Sequence, residues 1–123
     1  TRLAELYKKS QDWQSVADVY QAILPASMAF ADSPQAMPRF KENVIGYMHE
    51  IAKAYRNAAT RETSEKNIRD SLKWLRDMRV LLQNEADPQR ISEKFALSKM
   101  SAVDAEIAEC ETALKLMPNS HIH

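Results

Sequence analysis

The hydrophobic positions of this chain recur at spacings of three and four residues, which is the pattern of amphipathic helices. The longest such stretch covers residues 39–59. Its apolar positions are Phe40, Val44, Met48, Ile51, Tyr55 and Ala58 or Ala59. We predict that this side packs in the core between neighbouring helices. His49, Lys53 and Arg56 form a second stripe at the same spacing, which we interpret as a basic ridge facing a groove.

The same spacing predicts five helices in one domain that spans residues 1–118. The predicted helices cover about 1–9, 12–30, 38–60, 63–84 and 88–117, and 119–123 is a frayed tail. Asp12 is suited to cap the second helix, because its carboxylate can accept a hydrogen bond from the first turn. Pro25 is expected to kink or end that helix, since proline lacks the backbone donor.

The last predicted helix has two interpretations. Asp87 and Pro88 are typical of a helix start, and the apolar spacing then continues without interruption by glycine or proline. Ser101 followed by Asp104 is an alternative start for a second, shorter helix. We favour one helix over 88–117.

The other long helices also have apolar faces at helical spacing. On the second helix the face is Trp13, Val16, Ala17, Tyr20, Ile23 and Leu24, and on the fourth it is Ile68, Leu72, Leu75, Met78 and Leu82. On the fifth helix it is Met100, Val103, Ile107, Cys110, Leu114 and Met117.

Composition assigns the chain to the all-α class. One glycine in 123 residues cannot supply the turns of an all-β protein, whereas strong helix formers are abundant. That glycine, Gly46, falls inside the third helix, where it costs up to about 1 kcal/mol relative to alanine. Either a neighbouring element approaches closely there, or the glycine has no special role.

Charge and cysteine content restrict the function. The 17 basic residues balance the 17 acidic ones, so no overall field attracts nucleic acid or an anionic membrane. The single Cys110 excludes an internal disulfide and favours a buried thiol in a reducing, cytoplasmic setting. No apolar run approaches the roughly 18 residues of a membrane span. Because the sequence begins with Thr1 and not methionine, we expect it to be part of a longer chain.

The sequence offers no set of residues that would make an enzyme. His49 and Glu50 begin the HExxH zinc signature, but Lys53 occupies the position of the second histidine. A single glycine also excludes a glycine-rich phosphate loop. Glu106 and Glu109 lie on one helical side without a matching ligand set, and we expect them on a solvated face. We therefore predict no catalytic residue, no metal and no cofactor.

A second basic stripe lies on the fourth predicted helix. Its members are Lys66, Arg69, Lys73 and Arg76. Acidic residues interleave with them and weaken the local field, so nucleic-acid binding is not favoured. We expect this stripe to pair instead with acidic residues of the last helix. Those residues are Asp104, Glu106, Glu109 and Glu111.

The first hairpin, LAELYKKSQDWQSVADVYQAIL, resembles a tetratricopeptide repeat. The matching positions are Leu3, Ala4, Tyr7, Trp13, Val16, Tyr20, Ile23 and Leu24. A second, stretched unit has Ile51, Ala52 and Tyr55 on one helix and Ile68, Leu72 and Leu75 on the next, and residues 113–118, ALKLMP, are similar to the end of a third. Gln11 replaces the usual turn glycine, and Glu106 replaces a small residue. The resemblance implies antiparallel hairpins in a right-handed superhelix; a bundle of long antiparallel helices is the alternative.

The resemblance also implies a function. In tetratricopeptide proteins the first helix of each pair lines a groove, which here would place on one surface Lys8, Lys9, His49, Lys53, Arg56 and Asn57. Such a surface suits an acidic peptide or a C-terminal carboxylate. We therefore predict a protein-protein interaction scaffold or adaptor. The alternative is a self-associating helical bundle, a homo-oligomer that uses Met28 and Phe30.

Overall fold

The computed structural model describes residues 1–33, 38–59, 64–84 and 91–117, and these residues form five helices and no strand. The helices are α1 (Arg2–Lys9), α2 (Trp13–Ala31), α3 (Pro38–Ala58), α4 (Ser64–Asn84) and α5 (Glu93–Lys115). Each helix packs against the next one in the chain. The predicted all-α fold is confirmed.

Side-chain caps mark the starts of α1, α2 and α5. The Asp12 carboxylate accepts from the backbone N–H of Ser15 at 3.3 Å, which confirms it as the cap of α2. The turn before it contains Gln11, whose φ is 59°. This is the left-handed region that favours glycine. Gln11 adopts this conformation although it is not a glycine.

Proline does not end α2. The helix passes through Pro25 and continues to Ala31. Its last turns are held by tertiary contacts: Ala31 is 4% exposed, and the Phe30 ring packs edge-on to Phe40 with centroids 4.6 Å apart. Packing against α3 thus compensates for the missing backbone donor.

The start of α5 lies five residues after the predicted one. Ser92 is extended, its side chain caps the helix, and its backbone N–H donates to the Glu42 carboxylate at 3.0 Å. Ile91 is buried just before it. The helix then runs unbroken to Lys115, so the alternative start at Ser101 is wrong. The predicted cap at 87–88 and the predicted tail lie outside the described residues.

Cross-helix contacts show that α2 runs antiparallel to α3 and that α4 runs antiparallel to α5. Tyr20 packs near Tyr47, with ring centroids 5.5 Å apart, and Phe30 packs on Phe40, so α2 and α3 run in opposite directions. In α4 and α5, Arg76 pairs with Glu111 and Arg79 pairs with Asp104, each at 3.1 Å.

The core follows the predicted apolar faces but is wider on α3. Val44, Met48 and Ile51 are buried as predicted, and Phe40 and Tyr55 pack against the core from its edge. The predicted faces of α4 and α5 are also confirmed. Three further hydrophobic residues of α3 are buried that the main stripe does not include: Ile45, Ala52 and Ala54. The buried part of α3 therefore extends around most of the helix.

Gly46 lies in open space within α3. A Cβ atom added there would have no neighbouring atom within 4 Å, apart from the helix's own backbone. Close approach of another element therefore does not explain this glycine.

Candidate functional site

Charged side chains connect α1, α3 and α5 along one face of the protein. At the α1 end, Glu50 of α3 bridges two lysines: its carboxylate lies 2.7 Å from the Nζ of Lys8 and 3.2 Å from the Nζ of Lys53. Lys8 also pairs with Glu5 of its own helix, at 3.2 Å. Two of the predicted partner-binding lysines are therefore already held by carboxylates.

At the α5 end, His49 lies between a carboxylate and an ammonium group. Its Nε2 is 2.7 Å from Glu106, and its Nδ1 is 3.0 Å from the Nζ of Lys99. An ammonium group can only donate, so Nδ1 accepts, and the ring proton sits on Nε2 and is donated to Glu106. The contacts fit a neutral imidazole.

Burial governs the protonation of this cluster. His49 is 6% exposed. Burial lowers the pKa of His49; the hydrogen bond with Glu106 acts to raise it, and the charges of Lys99 and Lys53 add to the lowering. Burial likewise lowers the pKa of Lys99. The fold therefore favours the neutral form of the imidazole.

The depressed pKa of His49 predicts acid destabilisation. An unfolded imidazole binds its proton near the ordinary pKa of 6.5, whereas the folded one does so at lower pH. Between these two pH values the unfolded state holds more protons than the folded state, so the free energy of unfolding falls as the pH falls through that window. Above the window, His49 is neutral in both states and its titration no longer affects stability. We expect the melting temperature to drop more in the wild type than in His49→Gln between about pH 7.5 and about pH 5.5.

Circular dichroism melts of both proteins measure this difference. Because carboxylates and the remaining histidines are the same in the two proteins, the difference between their pH profiles isolates His49. A wild type that becomes more stable relative to His49→Gln at the lower pH would mean that attraction to Glu106 outweighs burial, and would contradict the prediction.

Two small clefts flank the exposed part of α3. The first has a volume of about 200 Å³ and is lined by Lys8, Trp13, Val16, Glu50, Lys53, Ala54 and Asn57. The second has a volume of about 170 Å³ and is lined by Lys53, Arg56, Asn57, Ser71, Leu75, Glu106, Glu109 and Cys110. Lys53 and Asn57 line both clefts. We call Lys53, Arg56 and Asn57 the α3 ridge.

The wall of the second cleft includes a buried polar pair. The Ser71 hydroxyl donates to the backbone carbonyl of Ala52 at 2.8 Å, and the Cys110 thiol lies 4.0 Å from the Ser71 oxygen. Cys110 is buried, as predicted, and burial raises the pKa of its thiol. The cysteine therefore stays protonated, and its environment is not that of a nucleophile.

The predicted site residues differ in their exposure to solvent. Lys9, Lys53, Arg56 and Asn57 are exposed, and Arg56 forms no ion pair within the part of the chain that the structure describes. Lys8 is partly buried in its ion pairs. His49 does not lie on the exposed stripe, because α5 covers it.

Sequence reasoning missed the partners of these residues. Glu106, expected on a solvated face, is partly buried and accepts from His49, whereas Glu109 is exposed as expected. Lys99 and Glu106 are seven residues apart, about two helical turns, so they project from the same side of α5. The spacing indicates that Lys99 and Glu106 could contact one common partner. It does not show that this partner is the imidazole of His49 on α3.

The basic stripe of α4 pairs mostly with its own helix. Lys66, Arg69 and Lys73 form ion pairs with acidic residues four positions away in α4, at 2.9 to 3.6 Å. Arg76 reaches Glu111 of α5, so the expected pairing between the helices is correct for Arg76 but wrong for the other three. Acidic residues four positions away on α4 pair with these cations in preference to those of α5, because side chains at that spacing are always within reach of each other.

The last turns of α2 expose two large apolar side chains. Met28 and Phe30 are 42% and 56% exposed, so both are accessible to another molecule. A cleft of about 360 Å³ lies beside them, lined by Ala26, Ser27, Phe30, Phe40, Asn43 and Tyr47. Among the described helices, none combines the length and the apolarity that crossing a membrane requires.

Comparisons with models of protein families, with curated proteins and with solved structures gave no match.

Proposed function

We propose that this protein is a helical interaction module, an adaptor that binds an acidic segment of a partner protein across the α3 ridge. The observation that carries the proposal is the position of Lys53 and Asn57, each of which lines the clefts on both sides of α3. A peptide lying over the ridge would place side chains in both clefts while its backbone passes over α3.

The chemistry of the ridge fits a carboxylate-bearing ligand. Arg56 is exposed and can donate two parallel hydrogen bonds to one carboxylate. Asn57 is also exposed, and its amide can both donate to and accept from a peptide backbone. The Lys53 side chain is 47% exposed, so its ammonium group can reach a ligand while it contacts Glu50. Two cations and one amide lie within two turns of one helix.

The arrangement of the helices supports the same surface. Contacts between Lys8 and Glu50, and between His49 and Glu106, bring side chains of α1, α3 and α5 together on one face. Of these helices, α1 and α3 are the ones that a tetratricopeptide-like register would place along a groove. The resemblance and the contacts thus support one binding face. The exposed apolar surface at Phe30 lies elsewhere, where the end of α2 packs against the start of α3.

Reversing two charges on the ridge tests the proposal. In Lys53→Glu/Arg56→Glu, we expect affinity for a fluorescein-labelled peptide of alternating glutamate and glycine to fall by more than about tenfold, because ligand carboxylates would face carboxylates. Fluorescence anisotropy measures the binding. The matched control is Lys66→Glu/Arg69→Glu, which makes the same charge change on exposed positions of α4.

The control variant should bind the peptide within about threefold of the wild type, since its charges lie outside both clefts. Circular dichroism should show unchanged helicity in both variants. Equal affinity of the wild type and the ridge variant would exclude the α3 ridge as the binding surface. Equal weakening in both variants would mean that binding follows net charge alone.

A further inference from the structure

The Glu50 carboxylate lies in the first cleft between two lysines. One carboxylate oxygen contacts Lys8 at 2.7 Å and the other contacts Lys53 at 3.2 Å. The Glu50 side chain is 26% exposed and lines the cleft together with both lysines. An acidic side chain that entered this cleft would meet the same two ammonium groups and, beside them, the negative charge of Glu50.

The two lysines hold Glu50 firmly in its ionised form. Burial acts to raise the pKa of Glu50, but the hydrogen bonds from Lys8 and Lys53 outweigh it and keep the pKa below its ordinary value. Glu50 therefore carries a full negative charge at neutral pH. Arg56, on the other side of the ridge, has no such internal carboxylate partner among the described residues.

We propose that Glu50 is an internal competitor that weakens the binding of acidic segments by holding Lys8 and Lys53. The inference rests on the proposed function, since it concerns the same site. An incoming carboxylate either shares the two ammonium groups with Glu50, against the repulsion of like charges, or displaces it. The acidic segment then makes its first contacts with Arg56 and Asn57. It enters the first cleft only by competing with Glu50 for Lys8 and Lys53.

Glu50→Gln tests the competition. Glutamine keeps the size of the side chain and an acceptor oxygen, but it removes the charge. We expect the affinity for the glutamate-glycine peptide to rise by about threefold to tenfold, the effect of removing one like charge near a partly exposed site. The matched control is Glu65→Gln, which removes an equal charge and releases Arg69 on the exposed face of α4. Its affinity should equal that of the wild type.

The gain should depend on Lys8. In Glu50→Gln/Lys8→Gln one of the two released ammonium groups is absent, so the gain relative to Lys8→Gln should be smaller than the gain of Glu50→Gln relative to the wild type, and a double-mutant cycle measures this coupling. Lys8→Gln alone should bind the peptide more weakly than the wild type. Lys8→Gln therefore tests the role of the first cleft even if Glu50→Gln is destabilised. Thermal melts would monitor the stability of Glu50→Gln.

The outcomes separate this inference from the proposed function. If the ridge variant loses binding while Glu50→Gln binds no better than the wild type, the interaction surface stands and the competition is wrong. If Glu50→Gln and Glu65→Gln gain equally, the gain reflects net charge, and the competition is again wrong. If neither the wild type nor Glu50→Gln binds the peptide, the proposed function fails, and this inference fails with it.

Discussion

Ile45→Ala is expected to lower the free energy of unfolding by about 2 to 5 kcal/mol, the usual range for emptying a fully buried aliphatic site. Ile45 is 0% exposed and belongs to the continuous core. The truncated side chain would leave a cavity that its neighbours fill only in part. Urea unfolding followed by circular dichroism measures the change as a lower midpoint with an unchanged slope.

Leu97→Ala is the matched comparison for Ile45→Ala. Leu97 is also a branched apolar residue within a helix, but it is 66% exposed. Its truncation should change stability by no more than about 0.5 kcal/mol. If Ile45→Ala cost as little as Leu97→Ala, the packing of α3 described above would be wrong.

Ile45 shows how far the sequence predicted the core. Helical spacing identified Val44, Met48 and Ile51 as one inward stripe, and all three are buried. Spacing selects a stripe wide enough for one partner, whereas α3 packs against both α2 and α4 and is also contacted by α5 through His49. The number of neighbours around a helix depends on contacts between residues far apart in the chain, which periodicity does not contain.

The candidate site was predictable to a similar extent. Lys53 and Arg56 were placed on an exposed ridge and are exposed, whereas His49 belonged to the same stripe and is buried. All three share a helical face by spacing. They differ because α5 crosses one end of that face and brings Lys99 to the imidazole. Glu50 was considered only as part of a zinc motif. Lys53 lies three residues further along the same helix, but Lys8 comes from α1, and spacing along α3 does not show that Lys8 lies beside Glu50.

Glu106, which pairs with His49, should contribute far more to the free energy of unfolding than Glu109 on the same helix. We expect Glu106→Ala to lower the free energy of unfolding by about 1 to 3 kcal/mol, because the buried Nε2–H of His49 would lose its acceptor. Lys99 would also lose its attraction to the charge of Glu106, leaving a partly buried ammonium group against the imidazole. Since the Glu106 side chain is 30% exposed, water entering its place would limit the loss.

Two further substitutions separate the hydrogen bond from the charge. Glu109→Ala removes an exposed carboxylate from the same helix and should change stability by no more than about 0.5 kcal/mol. Glu106→Gln keeps an acceptor oxygen for His49 but lacks the charge, so its loss should lie between those of the two alanine variants. Chemical denaturation near neutral pH, where His49 is neutral, measures all three. A loss in Glu106→Ala no larger than that in Glu109→Ala would mean that the contact with His49 does not hold α5 against α3.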